Sequence, residues 1–80
     1  MTNEQARDVV LTALAEVAPE MDEADLDPDE DFAEALDIDS MDHLNFIMAV
    51  NAKTGVEIPE RDYPKLTTLH NAVAYLEAIV

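Results

Sequence analysis

The sequence predicts an all-α protein, a small antiparallel bundle of three main helices and one short helix. Apolar residues recur at helical spacing in three separate segments, near the start, the middle and the end of the chain. No segment alternates apolar and polar residues as a half-buried strand requires. Because 80 residues suffice for one domain, we expect residues 1–80 to form a single domain with a thin hydrophobic core.

The first helix is predicted from Thr2 to Val17. Thr2 and Gln5 have the spacing of a capping box, in which two side chains bind the free N–H groups of the first turn. Pro19 marks the end of the helix, because proline disfavours the helical conformation of the residue before it. The apolar residues of this segment share one helical face: Ala6, Val9, Val10, Ala13, Leu14 and Val17.

A long acidic loop is predicted between the first two main helices. Residues 20–39 contain eleven acids and neither Lys nor Arg. The apolar residues here are too widely spaced for a strand, and we expect them to fix the loop across the end of the bundle: Met21, Leu26, Phe32 and Leu36. A single helical turn is expected at 32–36.

The acidic loop invites comparison with a calcium-binding EF-hand loop starting at Asp25. Asp25, Asp27 and Asp29 would occupy the first three ligand positions. Position six is Glu30 where the turn needs Gly, and position twelve is Leu36 where a bidentate Glu is needed. The sequence therefore argues against an EF-hand, although weak cation binding by the pooled carboxylates stays open.

The second main helix is predicted from Ser40 to about Thr54, with Gly55 as its left-handed terminator. One face holds Phe46, Ile47, Val50 and Thr54, and another holds Met41, Leu44, Asn45, Met48 and Ala52. Either the methionine-bearing face is exposed and binds a partner, or both faces are buried between neighbouring helices.

The last third of the chain predicts a connection, a short helix and a final amphipathic helix. Residues 56–59 form an extended connection, and residues 60–63 form one turn that Pro64 closes. Thr67 and Thr68 offer an N-cap for the final helix, whose apolar residues are Leu69, Ala72, Val73, Leu76, Ala78, Ile79 and Val80. The predicted core is Val10, Leu14, Phe46, Ile47, Val50, Leu69, Val73 and Leu76.

Composition excludes several classes of function. Nineteen acidic residues against four basic ones give a net charge of −15, which disfavours nucleic acid and favours basic protein surfaces or cations as partners. The chain has no cysteine, so thiol chemistry would have to come from a cofactor. The polar N-terminus does not resemble a signal peptide, and no apolar run is long enough to span a membrane. We therefore expect a cytoplasmic protein without a membrane association.

Ser40 stands at the start of the second main helix and has two interpretations. Serine is a preferred N-cap, so Ser40 could serve only to cap the helix. Alternatively, its hydroxyl is exposed among Asp37, Asp39 and Asp42, beside apolar Ile38 and Met41, and is a target for a modifying enzyme.

Ser40, His43 and His70 are the candidate residues for a catalytic or a metal site. Ser40 and His43 lie one helical turn apart, but a hydrolase also needs an oxyanion hole and a pocket that excludes water. His43 and His70 lack the spacing of zinc ligands. We therefore predict no catalytic residue, no enzyme activity and no metal site, with both histidines on the surface or half-buried.

The chain resembles the acyl carrier proteins in three separate motifs. Asp39-Ser40-Met41-Asp42 matches the attachment motif of that family, and Ile47-Met48-Ala49-Val50 matches its second helix. Glu57-Ile58-Pro59 and Leu66-Thr67-Thr68 match its later signature. The resemblance covers the whole chain and implies a carrier for acyl groups.

The resemblance implies a cofactor, partners and a site. Ser40 would bear a covalent 4′-phosphopantetheine, placed there by a phosphopantetheinyl transferase, and the thiol of this arm would hold acyl groups as thioesters. Acyl-loading and acyl-transfer enzymes with basic docking surfaces would be the other partners of a monomeric carrier. Asp39 and Met41 would flank the attachment site, and the partner-binding residues would be Asp39, Met41, Asp42, Leu44, Asn45 and Met48.

The sequence departs from the family pattern at three positions. Asp37 stands where the family usually has Gly, and Asn45 and Asn51 stand where its second helix commonly has Glu. The pathway stays open among fatty-acid synthesis, a polyketide or peptide pathway, lipid A and another specialised acylation. An acidic helical protein that binds divalent cations is the alternative from a different class.

Overall fold

The computed structural model describes residues 1–79, without the side chain of Asp25. Within these residues it contains four α-helices and two 3-10 segments and no strand, which confirms the all-α prediction. The α-helices are α1 (Asn3–Val17), α2 (Phe32–Ala35), α3 (Ser40–Thr54) and α4 (Leu69–Ile79), and the 3-10 segments are Glu23–Asp25 and Glu60–Leu66. Val80, predicted to extend the last helix, lies outside the described residues.

Helix α1 begins and ends as predicted. Thr2 is its N-cap: Thr2 Oγ1 accepts a hydrogen bond from Gln5 N at 3.2 Å, and Gln5 Oε1 accepts one from Thr2 N at 2.9 Å. This capping box satisfies two N–H groups that the first turn cannot pair. Ala18, the C-cap, is the residue before Pro19.

The acidic loop is more ordered than predicted, because its aspartates cap short turns. Asp22 Oδ1 accepts from Ala24 N at 3.0 Å and starts the 3-10 segment Glu23–Asp25, which was not predicted. Asp31 Oδ1 accepts from Ala33 N at 2.8 Å and starts α2, the predicted turn. The loop is fixed as expected: Leu26 and Phe32 are buried, and Met21 and Leu36 pack against the core.

Two backbone hydrogen bonds tie the acidic loop to the start of α4. Phe32 N donates to Thr67 O at 2.7 Å, and His70 N donates to Pro28 O at 2.9 Å. At the head of α4, Thr68 Oγ1 accepts from Asn71 N at 3.1 Å, in agreement with a threonine N-cap. The middle of the acidic loop that precedes Ser40 is therefore held against the start of α4.

Pro64 does not close a single turn, and that prediction was wrong. It lies inside the 3-10 helix Glu60–Leu66, two residues before the buried Leu66. Proline fixes φ near −65°, which is within the range of a 3-10 helix, so the ring continues this geometry where it would interrupt a longer α-helix.

The core lies where α1 packs against both α3 and α4, and the 3-10 helix Glu60–Leu66 packs on α4. All eight predicted core residues are buried. Eight further apolar residues complete the core: Ala6, Ala13, Leu26, Phe32, Ile38, Ile58, Leu66 and Ala72. None of the helices within residues 1–79 combines the length and the apolar character that a membrane span requires.

We expect the uncompensated charge of −15 to make stability depend on ionic strength, because screening weakens repulsion between surface carboxylates. Added NaCl should raise the melting temperature, and a gain of about 1 kcal/mol would correspond to about 4–8 °C for a domain of this size. Calorimetry with NaCl and MgCl₂ at equal ionic strength provides the measurement. Equal rises would indicate general screening, a larger rise with Mg²⁺ would indicate cation binding, and no rise would contradict the expected repulsion.

Tyr75→Phe should destabilise the fold in a pH-dependent manner. Tyr75 Oη donates to Asp62 Oδ2 at 2.7 Å, and Lys65 Nζ lies 3.1 Å from Asp62 Oδ1. The pKa of Asp62 is lowered, mainly by the hydrogen bond from Tyr75 and next by the one from Lys65. The pKa of Tyr75 is raised to about 12, mainly by burial and next by its hydrogen bond to the Asp62 carboxylate.

The sign follows from the lowered pKa of Asp62. The ionised Asp62 carboxylate stabilises the fold at pH values above its ordinary pKa of 3.8, and this stabilisation is lost as the pH falls through the lowered pKa of the folded state. The stability difference between wild type and Tyr75→Phe, measured by urea unfolding from pH 2 to 8, should therefore shrink towards acid pH. A difference that is constant across this range would mean that the contribution of the Tyr75 hydroxyl does not depend on the charge of Asp62.

Candidate functional site

Ser40 is the first residue of α3, and Asp39 is the N-cap. Asp39 Oδ1 accepts from Asp42 N at 2.9 Å, while Asp42 Oδ2 accepts from Asp39 N at 3.4 Å. The interpretation of Ser40 as the cap is therefore wrong, because the carboxylate one residue earlier takes the N–H group of the first turn. Within residues 1–79 the exposed hydroxyl of Ser40 forms no hydrogen bond, so it is available for chemistry.

A left-handed residue turns the chain into this helix start. Asp37 has φ 53°, and Asp39 is extended with φ −94° and ψ −176°. Between them Ile38 is buried in the core and holds the turn in place. Aspartate is among the few residues that visit the left-handed region without a large cost, which explains how Asp37 can occupy this turn.

Substitutions of Asp37 should report the cost of this conformation. We expect Asp37→Ala to lower the free energy of unfolding by about 1 kcal/mol, because Cβ without a compensating polar group disfavours positive φ. Asp37→Gly should match or exceed the wild type. Asp37→Asn is the control for charge, since asparagine tolerates the same conformation. Urea unfolding gives the comparison, and an alanine variant as stable as the wild type would contradict it.

A cleft of about 310 Å³ lies on one side of Ser40. His43 lines it, and the Nε2 of His43 lies 3.0 Å from the carbonyl oxygen of Leu66. The His43 ring contacts Phe46 with centroids 5.8 Å apart, and Phe46 meets Phe32 edge to face at 5.4 Å. His43 is half-buried and joins α3 to the 3-10 helix, so its ring forms a wall of the cleft beside Ser40.

The outer face of α3 is exposed and apolar. Met41, Leu44 and Met48 are 64%, 38% and 59% exposed, whereas Phe46, Ile47 and Val50 on the opposite face are fully buried. The alternative in which both faces are buried is therefore wrong. An adaptable methionine surface of this kind is suited to contact with other proteins.

Side chains near the C-terminal end of α3 form contacts with other parts of the fold. Asn51 Oδ1 accepts from Ile58 N at 3.1 Å, and Lys53 Nζ lies 3.3 Å from Glu16 Oε2 on α1. Asn51 thus orders the connection after Gly55, a role that the sequence pattern did not reveal. The side chain of Asn45, in contrast, is exposed and forms no hydrogen bond within the described chain. The last turn of α3 is therefore tied to the fold, whereas exposed side chains continue along its first three turns as far as Met48.

The segment around Ser40 is strongly acidic. Residues 20–52 contain twelve acids and neither Lys nor Arg. Three of the four basic residues form ion pairs within the fold: Arg7 with Glu23, Lys53 with Glu16 and Lys65 with Asp62. A basic partner surface would complement this end of the molecule.

The model of the family described as "Phosphopantetheine attachment site" matches residues 8–76. An acyl carrier protein of Micrococcus luteus is 31% identical over 75 residues, covering 90% of this chain and 93% of the relative. One of Helicobacter hepaticus is 34% identical, covering 96% and 95%, and one of Campylobacter hominis is 38% identical, covering 92% and 87%. The chain belongs to the phosphopantetheine-dependent carrier family, and within it to the acyl carrier proteins.

The helix start fits the prosthetic group that defines this family. The group, when bound, supplies a thiol that holds acyl groups as thioesters, and the chain has no cysteine that could do so. Ser40 offers a solvent-exposed oxygen without a partner among residues 1–79, and the N-terminus of the 15-residue α3 favours a phosphate.

Proposed function

We propose that Ser40 is the residue to which 4′-phosphopantetheine is attached, and that the chain acts as a single carrier domain for acyl groups. The observation that supports this most directly is the exposed Ser40 hydroxyl, left free because Asp39 caps the helix. In the attachment step Ser40 Oγ bonds to the phosphorus of the pantetheine half of coenzyme A. The bond between the two phosphates of coenzyme A breaks, the nucleotide half leaves, and the hydroxyl proton passes to the transferase or solvent.

The site supports a carrier rather than a catalyst. His43 is the histidine nearest to Ser40 in the sequence, and its Nε2 is engaged with the carbonyl of Leu66. Catalysis of acyl transfer is therefore assigned to the partner enzymes. The cargo belongs to fatty-acid synthesis or another specialised acylation, and a peptide or polyketide pathway is the alternative.

The partners are a phosphopantetheinyl transferase and acyl-handling enzymes, which approach the first three turns of α3. Apolar contact is supplied by Met41, Leu44 and Met48, polar contact by Asn45, and negative charge by Asp39 and Asp42. A monomer in the cytoplasm remains our prediction, to be checked by light scattering of the purified protein and by cell fractionation.

Intact-mass spectrometry tests the proposal. The apo-protein incubated with coenzyme A, Mg²⁺ and a broad-specificity phosphopantetheinyl transferase should gain the mass of one phosphopantetheine. Fragmentation of the peptide that contains Ser40 should place the added mass on that residue. An unmodified protein would contradict the assignment, and so would an adduct on another hydroxyl, such as that of Thr54 or Thr67.

A further inference from the structure

His43 is the one side chain in residues 20–52 that can carry a positive charge. The segment contains neither Lys nor Arg, and His43 is its single histidine. Histidine is also the residue whose charge ordinarily changes between about pH 5 and 8. The protonation of His43 therefore decides whether this acidic segment supplies a cation of its own near Ser40.

Ser40 and His43 face the same cleft. Both residues line the cleft of about 310 Å³, and they lie three positions apart in α3. Residues at this spacing are neighbours on a helix surface, with Cβ atoms about 5–6 Å apart. The Cα–Cβ bonds of an α-helix tilt towards its N-terminus, which in α3 is the turn that begins at Ser40. A group attached to the Ser40 oxygen would therefore lie within reach of the His43 ring.

The contact with Leu66 fixes which nitrogen of the His43 ring carries a proton. A carbonyl oxygen can only accept, so Nε2, which lies 3.0 Å from Leu66 O, is the donor. Nδ1 is then an acceptor in the neutral ring and a second donor in the protonated ring. Within residues 1–79 Nδ1 has no hydrogen-bond partner. Protonation thus keeps the contact with Leu66 and adds one unpaired N–H to a ring that lines the cleft.

We infer that His43 positions the prosthetic group, because its protonated ring donates a hydrogen bond from Nδ1 to the phosphate on Ser40. The inference rests on the proposed attachment at Ser40. Attachment places a phosphodiester with one negative charge beside Asp37, Asp39 and Asp42. A hydrogen bond between a cation and an anion is stronger than one between neutral groups, so the protonated ring is the partner that this acidic segment offers to the phosphate. The base of the arm is then held at α3 while His43 is protonated and is released when the ring is neutral.

Other charged groups around the His43 ring act on it whether or not the serine is modified. Asp31 and Asp39 line the same cleft as the ring. The charged residues on the adjoining elements are Glu34 on α2, Asp42 on α3, and Glu60, Arg61, Asp62 and Lys65 on the 3-10 helix. Because all of these are present in both forms of the protein, a comparison of the unmodified with the modified protein isolates the effect of the phosphate.

Histidine titration by NMR of the unmodified and the modified protein tests the inference. A phosphate that accepts a hydrogen bond from the protonated ring favours that form, so the titration midpoint of the His43 ring signals should move to higher pH on attachment. The expected rise is about half a pH unit, the size that one partly exposed ion pair supplies. His70 lines a different cleft and is the matched control, whose midpoint should not move. An unchanged midpoint of His43, or equal rises at both histidines, would overturn the inference.

The phosphorus signal provides a readout that a purely structural role of His43 would not move. A phosphodiester does not itself titrate near neutral pH, so a ³¹P signal that shifts there reports a neighbouring group. In the modified wild type this signal should shift with the midpoint of His43. In His43→Gln it should stay constant, since an amide can donate to Leu66 O but cannot be protonated. The control His70→Gln should behave as the wild type. A ³¹P shift that persists in His43→Gln would overturn the inference, and the titration of the wild type decides it should that variant fail to fold.

The two proposals can fail separately. A wild type that the transferase leaves unmodified overturns the assignment of Ser40. A wild type that is modified at Ser40, with His43 titrating as in the unmodified protein, overturns the positioning role of His43 alone.

Discussion

Ser40→Ala should abolish phosphopantetheine attachment while leaving the fold as stable as the wild type. Modification requires the hydroxyl oxygen, so the expected effect on the mass shift is complete. Stability should be preserved because Asp39, and not Ser40, accepts the hydrogen bond at the N-cap, and alanine is favourable at a first-turn position. Mass spectrometry measures the modification, and urea unfolding measures the stability.

Asp39→Ala separates the two roles at this helix start. It should lower the free energy of unfolding by about 1 kcal/mol, because the capping hydrogen bond from Asp42 N is lost. Ser40 would still be present, so some modification should persist. A Ser40→Ala protein that still gains phosphopantetheine would contradict the assignment, and one that unfolds as easily as Asp39→Ala would contradict the capping assignment.

Leu44→Ala and Met48→Ala should slow acyl loading of the phosphopantetheinylated protein without altering its fold. Both side chains lie on the exposed face of α3, so truncating them removes apolar contact area from a partner but opens no cavity in the core. Truncation of a central interface residue typically costs about 1–2 kcal/mol, or roughly a tenfold loss in kcat/KM. Steady-state kinetics of acyl transfer, with circular dichroism of each variant, provide the measurement.

Ile79→Ala is the matched control for the exposed α3 face. Ile79 is 40% exposed, like Leu44 at 38%, but lies at the end of α4. Its truncation should leave acyl loading unchanged. Loading rates of the Leu44→Ala and Met48→Ala variants equal to those of the Ile79→Ala variant would exclude the exposed α3 face from recognition.

Asn45→Glu, which introduces an acid common in the family, should increase the rate of acyl loading by fatty-acid synthase enzymes with basic surfaces.

Much of the fold could be predicted because local patterns and tertiary packing agree. The capping box of Thr2 and Gln5, the left-handed Gly55 and the helical spacing of the core residues are each determined within a few positions. The identity of the buried face of α3 was predicted correctly for the same reason. The exposure of the other face was not decided by the pattern, because a helix that is apolar on two sides is also compatible with burial between neighbours.

The features that the sequence did not predict depend either on two residues that compete for the same role or on contacts between residues far apart in the sequence. Asp39 and Ser40 are both good caps, and their order in the sequence does not say which one adopts the extended conformation. The hydrogen bond from Ile58 N to Asn51 and the contact between His43 and Leu66 join residues that only the tertiary fold brings together. Pro64 was predicted to end the short helix because proline interrupts an α-helix. It is compatible with a 3-10 helix, and the sequence did not specify which of the two helix types forms here.

If partners bind the outer face of α3 as proposed, its two exposed methionines should make partner recognition sensitive to oxidants. Oxidation of a methionine to its sulfoxide turns a flexible apolar side chain into a polar one. Met41 and Met48 are open to solvent, whereas no methionine is among the buried core residues in the described part of the chain and Met1 and Met21 are only partly buried against that core, so oxidants reach the outer face of α3 first. A sample stored in air would therefore keep its helical content and its thermal transition while losing affinity for its enzymes, and sulfoxide reductase would restore that affinity.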